Sequence, residues 1–257
     1  MQAIYVPKGA AREYAPLACN LYRGCAHGCR YCYAPDVLRK TRTVFATDLG
    51  PRPGIIEALT QDAAKLAPGA GPVLLSFTSD PYQPAERDAV VTREALGILG
   101  EAGVAVRILT KAPWFALHDA DLFSAYDVEL GVTLAWASDT KRLAWEPHAE
   151  CVFDREQALA SAHSDGIRTW VSMEPVIDPA EALRVIDRNA ANVDRWSVGK
   201  LNHDPARERE IDWRRFLADV LGRLAAHRAR YTIKDALWAF AGDTIKAGFE
   251  KSNVKGE

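Results

Sequence analysis

The chain of 257 residues sets 32 lysines and arginines against 34 aspartates and glutamates, a formal net charge of −2, and is 48% apolar. The apolar fraction suffices for a sizeable core. The near-neutral balance, with a pI near 6.3, excludes non-specific nucleic-acid binding by the whole surface but not by a local basic groove. Five cysteines, an odd number, argue against a disulfide framework and for a reducing compartment. The first residues lack a signal-like apolar core and no apolar run is long enough to span a bilayer, so a cytoplasmic location is expected.

In chain order, residues 1–18 read as an irregular arm punctuated by Pro7, Gly9 and Pro16. Cys19 to Tyr22 reads as a short strand delivering a loop, 24–33. Residues 37–48 read as irregular and basic, with the charges expected on a solvated surface. Gly54 to Ala67 carries Ile55, Ile56, Leu59, Ala63 and Leu66 at helical spacing and ends at Pro68 to Pro72. Val73 to Phe77 is a continuous apolar run of the kind that buried parallel strands require. Thr92 is expected to cap a helix carrying Ala95, Leu96 and Leu99. Val104 to Leu109 reads as a strand, Pro113 to Phe123 as helix, and Val128 to Leu134 as a strand. Asp154 and Gln157 are expected to form a capping box for the next helix, and Ile167 to Val171 follows as a strand. Asp178, Pro179 and Glu181 mark another helix start. Trp196 to Val198 is a strand, and Ile211 to Ala226 a helix with Phe216, Leu217, Val220, Leu221 and Leu224 on one face.

Six alternations of this kind imply βαβ units and a parallel sheet, either a partial barrel or a doubly wound sheet. No G-x-G-x-x-G follows a strand, which removes the main support for the dinucleotide fold. Polar residues instead gather near predicted C-terminal strand ends: Thr78-Ser79-Asp80, Thr110-Lys111, Thr133, Glu174 and Gly199 to Asn202. Barrels place their chemistry on that rim. The expected class is α/β, a partial (β/α)6 TIM-like barrel.

The loop 24–33 holds Cys25, Cys29 and Cys32 at C-x3-C-x2-C spacing. Thiolates suit iron–sulfur clusters or zinc. A cubane normally takes four thiolates; three leave one iron open to a small molecule. Gly24 and Gly28 are expected to let the loop wrap through positive φ angles. A structural zinc knot, with Cys19 or His27 as fourth ligand, is the alternative, although no second cysteine pair accompanies it. Cys19 is expected in the core, and Trp136 and Trp145 are candidates for a substrate mouth.

The motif, with Tyr31 as the aromatic before the last cysteine, resembles that of the radical S-adenosylmethionine (SAM) enzymes. The runs 76–99 and 108–111, Glu146-Pro147, Ser172 to Ile177 and Val198 to Asn202 are similar to the spore photoproduct lyase-like branch, often labelled "DNA repair photolyase". The resemblance implies a barrel over 19–230, with the arm 1–18 before it and an extension, 231–257, packed on it. It implies a [4Fe–4S] cluster on Cys25, Cys29 and Cys32, and SAM among Tyr31, Ser79, Asp80, Lys111, Thr133 and Glu174. It further implies a 5′-deoxyadenosyl radical, an electron donor such as flavodoxin or ferredoxin, and nucleic acid as one possible substrate. Tyr33 inherits a radical-transfer role. The lyase's hydrogen-donor cysteine is replaced by Phe77, so Cys151, or else Cys19, is a candidate for the missing thiol, with Cys151 taken as the catalytic candidate. The alternative is a non-enzymatic zinc or iron–sulfur module that recognises a partner.

Overall fold

The computed structural model describes residues 2–67 and 69–253. Pro68, expected in the stop after the first long helix, and the last four residues of the extension 231–257 lie outside them. Eight strands form one sheet in sequence order. They are β1 (Ile4–Tyr5), β2 (Leu17–Cys19), β3 (Val73–Leu75), β4 (Val106–Thr110), β5 (Val128–Thr133), β6 (Arg168–Val176), β7 (Arg195–Lys200) and β8 (Tyr231–Ile233). β1 is antiparallel to β2, and every later pairing is parallel. The helices used below are α1 (Arg42–Thr47), α2 (Ile55–Ala63), α3 (Val91–Glu101), α4 (Ala120–Ala125), α5 (Val152–Ser164), α6 (Pro179–Asn189) and α7 (Trp213–Ala226). All lie in the crossovers that a parallel sheet requires, α1 and α2 together in the one between β2 and β3.

Alternation along each strand sorts the side chains. Val106, Ile108, Val128 and Leu130 join the helix-facing core with Leu59, Leu96 and Leu99. Val171, Met173, Trp196 and Val198 do the same with Val185, Leu217 and Leu221. The intervening residues face the concave side. There Leu74 and Trp170 pack with Tyr14 and Ala18. On the same side Arg107 bonds Glu129 at 2.7 Å, and Arg195 lies 5.0 Å over the Trp170 ring. Gly131 makes room for that ring, because a Cβ there would overlap Trp170 and the Ile108 carbonyl. The interior is thus plugged at one end and open at the C-terminal ends of the strands.

The sheet is not closed, since β1 and β8 are its two edges. Residues 2–18 are not wholly irregular: they supply β1 and most of β2, with a 3-10 turn, Gly9–Glu13, between them. That turn reaches the other edge, where the Asp235 amide donates to Glu13 at 2.8 Å and Lys234 Nζ donates to the Ala10 carbonyl at 3.3 Å. The first parallel strand therefore precedes the expected Cys19–Tyr22. The start of the expected extension is also an integral strand, β8.

Three helix starts differ from expectation. Residues 37–48 contain α1, whose Thr41 hydroxyl accepts from the Val44 amide at 3.2 Å. α3 is capped by the carboxylate of Glu86, which accepts from the Thr92 amide at 2.8 Å, while the Thr92 hydroxyl donates to the Pro81 carbonyl at 2.6 Å. α5 starts at Cys151, whose sulfur accepts from the Asp154 amide at 3.4 Å, so Asp154 is not the cap. Asp178 caps α6 as expected, through the Ala180 and Glu181 amides. The Glu181 carboxylate turns instead to the Ala137 and Ser138 amides.

Two glycine substitutions have opposite expected signs. Gly131→Ala should lower stability by about 1–3 kcal/mol through overpacking. Gly97→Ala, inside α3 with open space around the new methyl, should raise it by about 0.5–1 kcal/mol. Urea unfolding midpoints check both.

Candidate cofactor and active site

A cavity of about 340 Å³ opens at the C-terminal strand ends. The strands deliver its wall in order. The loop after β2 brings Cys25, Cys29, Tyr31, Cys32 and Tyr33, and the turn after β3 brings Ser76 to Asp80. β4 brings Lys111, β5 Thr133, and β6 Ser172 and Glu174. Lys200 ends β7 and Asn202 follows it, Lys234 follows β8, and Tyr14 enters from the N-terminal arm. Every expected site residue except Cys151 is on this wall. Cys151 is the cap of α5 and does not line the cavity, so the structure separates it from the position that Phe77 occupies. Cys19 is buried in the core, where burial pushes its thiol up to about 12. Trp136 and Trp145 stack on each other, centroids 6.3 Å apart, and pack with the core, not the mouth.

The cysteine loop is held from several directions. Buried Gln83 accepts from the Ala26 amide at 3.0 Å and donates to the Gly24 carbonyl at 2.9 Å. The Cys25 amide donates to the Phe45 carbonyl at 3.1 Å. Arg42 of α1 donates to the carbonyls of Cys29 and Cys32 at 3.3 and 3.1 Å, so this part of the basic segment grips the loop and is not simply solvated. Gly28 has φ 65°, as expected. Gly24 serves differently: a Cβ there would overlap the Phe45 and Asp48 carbonyls, so close packing requires glycine.

Asp80 joins this loop to the barrel. Its carboxylate accepts from the Thr110 hydroxyl and the Lys111 amide, each at 2.7 Å, and from the Tyr82 amide at 2.9 Å. His27 Nε2 lies 3.0 Å away. Burial would raise the carboxyl's pKa, but His27 and the hydrogen bonds outweigh it and hold it at about 2.

A second buried unit lies behind Tyr31. Its hydroxyl donates to Glu146, which pairs with Arg155 at 2.6 Å. Burial raises the Glu146 carboxyl, but Arg155 and Lys111 more than offset that and lower it overall. The Lys111 ammonium sits 5.7 Å from the Tyr31 ring centroid and has no hydrogen bond to other described residues. Burial opposes its charge, yet Cys29, Glu146 and Asp80 keep its pKa raised. The hydroxyls of Ser76 and Ser79 are buried without a partner among the described residues.

On the opposite wall, Glu174 accepts from Tyr14 at 2.5 Å and pairs with Lys234 at 2.9 Å, with Asn202 at 3.3 Å. Neither Lys111 nor Lys200 is its partner; Lys200 pairs with Glu208 at 2.5 Å. Gly199 leaves the space that Glu174 fills. Tyr33 is at the rim: its hydroxyl donates to the Phe77 carbonyl at 3.1 Å and its ring stacks on His203.

The set has the donors a cluster and a polar ligand need: three neighbouring thiols, two unsatisfied hydroxyls and one ammonium. Among the described residues, no group of three or more His, Cys, Asp or Glu is arranged to hold a single metal ion. A cubane takes one thiolate at each of separate iron corners, so its ligands need not converge on one point. Burial raises the Cys25 thiol and pushes Cys29 up to about 12; metal binding requires thiolates, so loading this loop would release protons.

Structural comparison decides the fold. SuiB of Streptococcus suis bound to S-adenosylmethionine superposes with a TM-score of 0.63 at 13% identity, over 86% of this chain and 51% of SuiB. A spore photoproduct lyase mutant with bound AdoMet and dinucleoside spore photoproduct gives 0.59 at 14% identity, over 86% and 64%. The chain has the radical SAM fold. SuiB has also been seen with its precursor peptide SuiA, at a TM-score of 0.62. No protein-family model matches the chain. The uncharacterized protein MJ0683 of Methanocaldococcus jannaschii is 27% identical over 159 residues, 62% of this chain and 59% of that protein. The uncharacterized protein Rv2578c of Mycobacterium tuberculosis is 31% identical over 110 residues, 41% and 32% of the two chains. This chain therefore spans less than two thirds of the length of these curated relatives. Within the radical SAM fold, sequence reasoning missed Tyr14, Ser76, Gln83, Arg155 and Lys234. Only Ser76, beside Thr78-Ser79-Asp80, carried a local signal.

Two outcomes follow from the buried charges. Arg155→Met should cost about 3–5 kcal/mol by leaving Glu146 unpaired, and adding Glu146→Gln should restore part of it; chemical unfolding measures both. The Asp80 carboxyl is lower folded than its ordinary 3.8, so its contribution is full above that value and lost as pH falls toward about 2. The stability gap between the wild type and Asp80→Asn should be wide at pH 6, narrower at pH 3, and should close as pH falls to about 2.

Proposed function

We propose that the chain is a radical SAM enzyme in which Cys25, Cys29 and Cys32 hold a [4Fe–4S] cluster and the cavity beside them takes S-adenosylmethionine. When bound and reduced, that pair supplies a 5′-deoxyadenosyl radical for hydrogen abstraction. One observation carries the reading: on a radical SAM fold, the cysteine triad shares a cavity with the Ser76 and Ser79 hydroxyls and the Lys111 ammonium, none of which has a hydrogen-bond partner among the described residues.

The side chains divide by what they have left to offer. Lys111 can meet a carboxylate, and Ser76, Ser79 and Thr133 can meet an ammonium or hydroxyls. Asp80 already accepts three hydrogen bonds and faces His27, so it acts as a positioning residue for the loop and Lys111. Tyr31, fixed by Glu146, forms the wall under Lys111. Glu174, engaged by Tyr14, Lys234 and Asn202, shapes the far wall. Phe77 and Leu109 present apolar surface, which excludes water from a reactive intermediate. Tyr33, at the rim, is placed between the cysteine loop and an incoming substrate and is our candidate for hydrogen transfer. Cys151 is not.

SuiB has been seen with a peptide and the lyase with a dinucleoside photoproduct, and we extend to this chain a macromolecular substrate presented at the open rim. Phe77 cannot donate hydrogen as a thiol does, so we do not assign thiol-assisted dimer reversal.

Anaerobic reconstitution should give about four irons per chain and, with dithionite, 5′-deoxyadenosine from SAM. Cys25→Ala, Cys29→Ala or Cys32→Ala should abolish both. Lys111→Ala should keep the iron and weaken SAM binding on the order of tenfold, the size of a lost charged hydrogen bond. Cys151→Ser should change neither. About one zinc per chain, with no SAM cleavage, would refute the enzyme reading in favour of a zinc module.

A further inference from the structure

Two cations flank the cysteine triad, and they differ in what can reach them. Lys111 lines the cavity, where the proposed function sets it against a ligand carboxylate. Arg42 does not line the cavity. It is exposed on the first turn of α1, and its guanidinium donates to the Cys29 carbonyl at 3.3 Å and the Cys32 carbonyl at 3.1 Å. It makes no ion pair among the described residues. The carboxylate at the far end of α1, Asp48, is taken by Arg23 and Lys40, each at 2.9 Å.

Other bonds to the loop are neutral. The Cys25 amide donates to the Phe45 carbonyl, and the Gln83 amide bonds the residues on either side, Gly24 and Ala26. These contacts hold the loop's shape without bringing a formal charge. Arg42 brings one to the backbone of two of the three proposed ligands, through two nitrogens of a rigid planar fork. The turn that carries it is itself fixed. The Thr41 hydroxyl caps α1, and Phe45, one turn on, is buried.

A charge at that place bears on reduction. Thiolates are anionic, and an added electron makes whatever group they hold more negative. A nearby cation therefore stabilises the reduced form more than the oxidised one. Iron–sulfur potentials follow net charge, hydrogen bonding and solvent exposure in this way.

We propose that Arg42 is a positioning residue that also tunes the triad: its fork fixes the Cys29 and Cys32 backbone, and its charge raises the reduction potential of the iron–sulfur group they hold. The proposal rests on the radical SAM reading above and concerns how readily that group accepts its electron. In the step, the group gains one electron and an external one-electron reductant, dithionite in the test, loses one. No atom is exchanged.

The test compares the reconstituted wild type with Arg42→Gln, Arg42→Lys and, as an exposed control in the C-terminal region, Lys246→Gln. Iron analysis comes first, and a dithionite titration followed by electron paramagnetic resonance then gives the midpoint potential, with no turnover required. Arg42→Gln should keep about four irons per chain. At a fixed solution potential its reduced-to-oxidised ratio should fall at least threefold, ~28 mV for one electron at ~59 mV per decade. Arg42→Lys, which keeps the charge and loses the fork, should recover most of that shift, and Lys246→Gln should match the wild type. Raising salt should narrow the gap between Arg42→Gln and the wild type, because the guanidinium is exposed.

An unshifted midpoint in Arg42→Gln would overturn the tuning role. So would an equal shift in Arg42→Lys and Arg42→Gln, since a purely structural part would be lost in both. Should Arg42→Gln not retain iron, Arg42→His takes its place: its midpoint should climb toward the wild type's as pH falls through the ordinary histidine range, about 6.5, and a constant offset overturns the proposal. A wild type that carries zinc and no iron would overturn the underlying reading and this one with it, a result seen in the metal analysis before any potential is measured.

Discussion

The arrangement at the top of the barrel depends on a single buried carboxylate. Asp80 takes the Thr110 hydroxyl and the Lys111 amide, and it faces His27 from between the cysteines. A charge in that position is tolerated only because donors surround it. These groups come from the cysteine loop and the end of β4 and meet on the turn after β3, so satisfying Asp80 fixes the cysteine loop relative to β3 and β4. Lys111 is thereby aimed at the cavity by its own backbone. An Asp-Pro turn that reads as an ordinary loop opener is thus the joint on which the site's geometry closes.

Around this joint, the structure separates groups with engaged valences from groups with free ones. Glu146 with Arg155 and Tyr31, and Glu174 with Lys234, Tyr14 and Asn202, are satisfied internally and stiffen opposite walls. Among the described residues, the Ser76 and Ser79 hydroxyls have no hydrogen-bond partner, and the Lys111 ammonium has only the Tyr31 ring beside it. Buried polar groups are ordinarily paired, and the exceptions call for an explanation. Among the described residues, two such exceptions, the Ser76 and Ser79 hydroxyls, lie beside the three cysteines in one cavity, while the Trp136, Trp170 and Trp196 indoles lie in the core.

Much of the architecture was legible in the chain. The apolar runs of β4 to β7 and the facial pattern of α7 are strong periodic signals, and the cysteine spacing carries its own chemistry. β1 and β8, two and three residues long, are too short to show a period and exist because neighbouring strands pair with them. Tyr14 and Lys234 meet across the whole length of the chain, a juxtaposition that local pattern cannot encode. Capping was misread where a more distant group won: Glu86 supplanted the Thr92 cap, and a cysteine sulfur supplanted the Asp154 cap. The basic run at 37–48 looked featureless because its helix, α1, is six residues long and has one buried anchor, Phe45.

The unclosed sheet has a geometric consequence. A fully hydrogen-bonded barrel has its girth set by strand number and stagger. In this molecule the two margins meet through Ala10 and Glu13 reaching Lys234 and Asp235, contacts made by a turn and not by a ladder. Girth at that seam is therefore a property of about half a dozen residues of the leading segment, and the aperture offered to a bulky guest can be retuned there without disturbing any interior strand.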